Sequence, residues 1–281
     1  RFITIINFGI KILTIGLIYL LIDSKDQYWL YFSITVFATF LGFIISIINA
    51  KKYLNFKVQN LGFKKHVKSI GILFSTQLAI GIYANMDVVF LNYFSTEEQV
   101  GYYTPAIRLI KVSLLIITAL GTVLIPKISQ YIDEEKIEEC NNIIKKSIKF
   151  VLLLSFPFII LIWAYAHDTI LIFAGESFLD SVILLQLLTP LVLLIGMNNI
   201  FGLQILVPFN KENLLFYSVG TGAFINIILN IILIPKFESL GAVYSVLITE
   251  FIITALACYF AVKTLHFKFP FKILSISPNT T

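Results

Sequence analysis

The sequence predicts an all-α protein that crosses a membrane about eight times. Three observations carry that prediction. The 281-residue chain is 58% apolar and 13% charged, with a mean hydropathy of +0.90, whereas soluble domains are roughly 45–50% apolar and ~25% charged. Eight stretches are apolar over the length of about 20 residues that a helix needs to cross a bilayer. The polar residues gather in breaks between these stretches, not in a pattern that would coat a water-facing surface.

The stretches run over 2–22, 29–50, 69–94, 101–126, 147–166, 181–207, 214–235 and 240–262. Short polar breaks separate most of them, such as Asp23–Asp26, Ser95–Gln99, Gly175–Ser177, Asn210–Asn213 and Lys236–Glu238. Two breaks are longer. Residues 51–68 carry six lysines and read as a cytoplasmic amphipathic linker. Residues 127–146 mix acids and lysines with Ile128, Ile132, Ile137 and Ile143 at near-helical spacing, which predicts an amphipathic helix on the membrane surface. Pro105, Pro126, Pro157, Pro190, Pro208 and Pro235 lie within spans or at their ends. Membrane helices tolerate proline where neighbours re-satisfy the freed carbonyls; as a set the prolines suggest helices that bend.

Charge orients the array. With residue 1 on the inside and sides alternating, the inner loops hold fifteen of the 19 lysines, while the outer loops hold Lys25 and Lys236. The positive-inside rule then places both ends of the chain in the cytoplasm, and the expected location is a bacterial inner membrane. The lysine bias also argues for an AT-rich bacterial genome, since Arg1 and Arg108 are the two arginines present. Arg1 leads at once into an apolar stretch without a signal-peptide pattern, so the chain reads as a fragment lacking an N-terminal part. A net charge of +5 would suggest nucleic acid in a soluble protein; here it reports topology, and no nucleic-acid partner is expected.

Cys140 and Cys258 are too unlike in expected depth to bridge, and neither they nor His66, His167 and His266 show metal-ligand spacing. No nucleotide loop, metal set or Ser/His/Asp arrangement emerges. The sequence offers no support for enzymatic chemistry, and neither catalytic residues nor cofactors are expected.

The informative residues are charges inside spans, each costing about 2.5–3.5 kcal/mol on insertion scales. They are Lys11, Asp87, Arg108, Lys111 and Glu250. Asp87 lies near the outer end of its span and Arg108 near the outer start of the next, so they are expected at similar depth. Two readings compete: a structural ion pair, or a passage-lining pair in which Asp87 takes a cation or proton and Arg108 meets an anionic cargo. Thr76, Tyr83 and Asp87 share one helix face, and Arg108, Lys111, Thr118 and Thr122 share another. Two cations one turn apart suit a diphosphate, although Lys111 also fits snorkelling to an interface. Lys11 and Glu250 fall near mid-membrane, lining the pathway or pairing with other helices. Asn226 and Asn230, one turn apart, either join helices or coordinate a cation.

Several motifs taken together resemble the bacterial polysaccharide (O-antigen and capsule) flippases of the multidrug/oligosaccharidyl-lipid/polysaccharide exporter superfamily. They are Ile82–Leu91, Glu98–Ala106, Leu124–Ser129, Phe173–Phe178, Asn226–Asn230, and Ile234–Lys236 followed by Gly241-Ala242. The resemblance runs over about residues 25–262 and implies two six-helix bundles around a central lumen. Residues 1–50 would be the last two helices of the first bundle, 69–264 the second bundle, and 265–281 a cytoplasmic tail. It also implies translocation of an undecaprenyl-diphosphate-linked oligosaccharide by ion-coupled alternating access. Arg108, Lys111 and Lys11 would serve the substrate, and Asp87, Asn226, Asn230 and Glu250 a coupling ion, Na+ or H+. Asn230 departs from the acid expected there, which leaves a proton on Asp87 as the alternative to sodium. Membrane lipids, a polysaccharide polymerase and a chain-length regulator are the implied partners. The rivals are a drug or metabolite exporter of the same superfamily, which predicts acids in the cavity, a membrane-embedded polymerase or glycosyltransferase, which predicts a large outer loop, and a scaffold, which leaves the interior charges unexplained.

Overall fold

The computed structural model describes residues 2–22, 27–50 and 63–265. Among these, regular structure is entirely helical, and every apolar stretch anticipated from the sequence is a helix or part of one. The cytoplasmic tail and most of the expected linker lie outside the described residues; residues 63–68 of that linker belong to the first turns of a long helix.

The chain divides into two compact units, Arg1–Gly62 and Phe63–Thr281. In the first, α1 (Phe2–Leu21) packs on α2 (Tyr28–Ala50). Ile34 and Ala38 are buried, and Gly42 admits the Ile10 side chain where a Cβ would overlap it. Both helices are otherwise apolar and largely exposed, and Lys11 is exposed on α1.

The second unit contains α3 (Phe63–Phe94), α4 (Glu97–Asp133), α5 (Ile137–Ala174), α6 (Ser181–Leu188), α7 (Pro190–Asn198), a π-helical segment (Asn199–Leu206) and α8 (Glu212–Leu265). Thr96 caps α4, its hydroxyl accepting from the Gln99 N–H at 3.4 Å, and Glu97 and Glu98 sit in the first turn, where the helix dipole favours acids. At its other end α4 continues to Asp133, and α5 starts after a tight turn in which Glu135 is left-handed at φ 57°. The surface helix expected over 127–146 is therefore replaced by the ends of two long helices. The reason is packing: Ile128, Cys140 and Ile144 are fully buried, so their apolar stripe faces protein instead of a bilayer surface. The turn is polar. Lys136 donates to Glu134 at 2.6 Å, which lowers the Glu134 carboxyl below its usual range and raises the Lys136 ammonium.

The helical path is interrupted at two places. α5 is non-helical at Tyr165, and the Trp163 carbonyl there accepts from the Gln186 amide at 3.1 Å. Pro190 divides α6 from α7; the Thr189 hydroxyl donates to the Gln186 carbonyl at 2.7 Å and accepts from the Trp163 indole at 3.2 Å. Side chains thus satisfy backbone groups freed by the bends, as membrane helices require.

Straight, the 54 residues of α8 would extend about 80 Å, well beyond a bilayer core of about 30 Å. Instead the helix folds at Glu238 (φ 51°, ψ −126°), just after Pro235. A Cβ at Gly241 would collide with the Leu233 carbonyl, so glycine is what lets the chain reverse so sharply. The two legs then pack together, with Gly222 of the first leg against Ile253 and Thr249 of the second. The Ser239 hydroxyl donates to the Gln99 side chain at 2.5 Å, tying the fold of α8 to the start of α4.

Candidate functional site

Thr76, Tyr83, Asp87 and Leu91 are the buried stripe of α3, and the first three are the face that helical spacing picks out. This stripe packs on α8, the closest pairing in the unit. Asp87 is 3% exposed, and three neutral groups donate to it. Asn230 Nδ2 reaches Oδ1 at 2.9 Å, Asn226 Nδ2 reaches the same oxygen at 3.2 Å, and the Tyr103 hydroxyl reaches Oδ2 at 3.2 Å. Asn230 Nδ2 also donates to Asn226 Oδ1 at 3.1 Å. Asn230 Oδ1 is buried without a hydrogen-bond partner among the described residues. The groups aimed at the carboxylate are two amide nitrogens and a hydroxyl, all of them donors.

The expected Asp87–Arg108 pair does not form. Arg108 is exposed and does not line the cavity described below. The physical reason is the helix boundary. α4 starts at Glu97 and not at 101, so Arg108 lies about 6 Å further along the helix than counting from 101 implies. Tyr103 takes the position opposite Asp87 and turns inward with Ala106, Ile107 and Ile110. Thr118, on the expected polar face, bonds to its own helix at the Leu114 carbonyl; the Thr122 side chain is outside the described set.

Beside Asp87 lies a cavity of about 260 Å³ between α3, α4, α7, the π-helical segment and α8. Tyr83, Asp87, Lys111, Asn198, Asn199 and Glu250 are among its lining residues, with much of the remainder Leu, Ile and Val. Lys111 Nζ donates to the Ala84 carbonyl at 3.1 Å, and the side chain lines the cavity while remaining exposed. Glu250, 3% exposed, accepts from the Tyr83 hydroxyl at 2.9 Å on Oε1. The cavity therefore carries two carboxylates and one ammonium, not the paired cations expected of the passage.

The structure thus brings Asp87, Lys111 and Glu250 to one cavity, with Asn226 and Asn230 bonded to Asp87 but not lining it, and leaves Arg108 outside; Lys11 is on the other unit. Sequence reasoning missed Tyr103 as a donor, Tyr83 as the partner of Glu250, and the amides of Asn198 and Asn199. The signal for Tyr103 was the acidic pair Glu97-Glu98 after Thr96, a helix start that moves the depth register by one turn.

Comparison with known proteins bears on what such a site serves. A family model described as "Polysaccharide biosynthesis protein" matches residues 2–183. A probable low-salt glycan biosynthesis flippase of Haloferax volcanii is 25% identical over 80% of this chain and 45% of its own length. A putative O-antigen transporter of Escherichia coli K12 is 23% identical over 67% of this chain and 45% of its own. An uncharacterized membrane protein of Methanocaldococcus jannaschii is 25% identical over 66% of this chain and 36% of its own. The chain thus spans less than half the length of the curated relatives it matches. No solved structure matches. With a family model covering well over half of its residues, this polytopic, all-helical chain belongs to the polysaccharide biosynthesis protein family.

Proposed function

We propose that this protein is a flippase that moves an undecaprenyl-diphosphate-linked oligosaccharide from the inner to the outer leaflet of a bacterial cytoplasmic membrane, by ion-coupled alternating access. The class of cargo draws its support from the family and from two relatives named as a glycan flippase and an O-antigen transporter. Transport of this kind makes and breaks no covalent bond in the cargo.

The observation that carries the ion coupling is the Asp87 carboxylate, buried and held by three neutral donors. A carboxylate locked to an arginine would have its charge compensated already. One held by amides and a phenol keeps its charge for an entering cation or proton. Such an ion biases one conformation only by binding it better than the other. The coupling ion is Na+ or H+.

At about 260 Å³ the cavity does not enclose a whole oligosaccharide. Arg108 and Lys111 are exposed one turn apart on α4, where a guanidinium and an ammonium suit the two phosphates.

The second reading, an exporter of organic cations, is favoured by one finding: the cavity holds two acids against one base. Reconstitution of the full-length protein into vesicles separates the two. The flippase reading expects faster transbilayer movement of undecaprenyl-diphosphate oligosaccharide, driven by an imposed ion gradient. Movement at the protein-free rate, with ion-driven efflux of an organic cation, overturns it.

A further inference from the structure

We infer that Glu250 is a proton-binding site in its own right, distinct from the oxygen cluster at Asp87. The inference deepens the ion-coupled reading of the cavity and rests on it.

Glu250 sits on the second leg of α8, 3% exposed and on the cavity wall. One of its oxygens accepts from Tyr83. The other, Oε2, is buried with no hydrogen-bond partner among the described residues. A buried carboxylate oxygen without a donor is costly while it is charged, and a proton removes that cost. The groups that face Glu250 are few. α3 brings Tyr83 and Asp87, and α4 brings Lys111 to the same cavity, while Tyr103 of α4 is bonded to Asp87. α6, α7 and the π-helical segment contain no ionisable side chain. Lys111 is bonded to the Ala84 carbonyl, and among the described residues no ion pair reaches Glu250.

The two acids of the cavity differ in what they can hold. Asp87 has the Asn226 and Asn230 amide nitrogens and the Tyr103 hydroxyl as donors, and the Asn230 Oδ1 beside it is a further oxygen without a partner among the described residues. Glu250 has one phenol, too thin a shell for a metal cation that takes six or so oxygens but sufficient for a proton, which needs a single lone pair. In the step, a hydronium ion transfers its proton to Oε2 and is left as water. The carboxylate becomes a neutral acid, while Tyr83 keeps its own proton and its bond to Oε1. Release to water is the reverse. Tyr83 stands one turn from Asp87 on α3, so the state of Glu250 is felt at the neighbouring site through one rigid helix.

The test is infrared difference spectroscopy of the full-length protein in sodium-free buffer, without cargo, as pH is stepped. The wild type is expected to show a protonated-carboxyl band that Glu250→Gln removes and Asp87→Asn retains. The stabilisation that sodium confers in a thermal shift should survive Glu250→Gln. Tyr83→Phe, which keeps the acid and removes its donor, should move both the band and its titration midpoint; this variant decides the matter if Glu250→Gln does not fold. A band unchanged in Glu250→Gln, or a Tyr83→Phe spectrum identical to wild type, overturns the inference. Loss of oligosaccharide movement with the Glu250 band intact would count against the flippase reading and leave this one standing.

Discussion

Asn230 and Asp87 lie 143 residues apart and are joined by a 2.9 Å hydrogen bond, from amide nitrogen to carboxylate oxygen. The bond ties α3 to the first leg of α8 through a buried charge whose donors are all neutral. A fixed ion pair would hold these helices together as well, but it would leave nothing for an ion to do. This arrangement holds them while leaving Asp87 without an ion-pair partner among the described residues.

Asp87→Asn preserves shape and removes the charge. The expected outcome is a folded protein at near-normal membrane levels whose thermal stability no longer responds to sodium. A wild-type sodium response in a thermal-shift titration would remove Asp87 from ion coupling.

Asn230 separates the structural and ionic roles. Asn230→Ala deletes a donor to a buried carboxylate and is expected to cost about 1.5–3 kcal/mol, seen as a lower melting temperature without sodium. Asn230→Asp sets a second carboxylate beside the first, a pair that a cation relieves. It should melt lower without sodium and gain more from sodium than the wild type does.

Arg108 is exposed and outside the cavity, so Arg108→Gln should leave stability within about 0.5 kcal/mol of wild type, as surface changes generally do. If its charge meets the diphosphate, surface polysaccharide in a complemented deletion strain should be lost while membrane levels of the protein stay normal. Lys111→Gln is expected to lower surface polysaccharide in the same assay. Normal polysaccharide in both variants would move the cargo path away from α4.

Two glycines on the first leg of α8 give a matched pair. A Cβ at Gly222 would overlap Ile253, whereas one at Gly220 meets nothing within 4 Å. Gly222→Ala should destabilise by about 1–3 kcal/mol through overpacking. Gly220→Ala should be neutral or stabilising by up to about 1 kcal/mol from helix propensity. Thermal unfolding in detergent checks the order, and equal effects would mean that the two legs do not pack through Gly222.

Much of this molecule was legible in its sequence because apolar length and helical period are local properties. They predict helices over all eight apolar stretches, the face of α3 that carries Thr76, Tyr83 and Asp87, and the stacked amides Asn226 and Asn230. Lysine position is local too, and it is what orients the array in the expected topology. The helix start at Glu97 was readable from the Thr96 cap and the acids after it, yet the apolar run alone placed the start one turn too late and selected Arg108 in place of Tyr103.

What only the tertiary structure decided is which faces meet. Tyr83 and Glu250 are 167 residues apart, and no spacing within one helix joins them. The fold of α8 at Glu238, the π-helical segment after Asn198 and the burial of Ile128 against α5 likewise depend on neighbours. Composition and periodicity report what a segment does with its own backbone and with the bilayer. The partner of a buried polar group is chosen by packing between distant segments, where each unsatisfied donor or acceptor costs enough to select one arrangement over others.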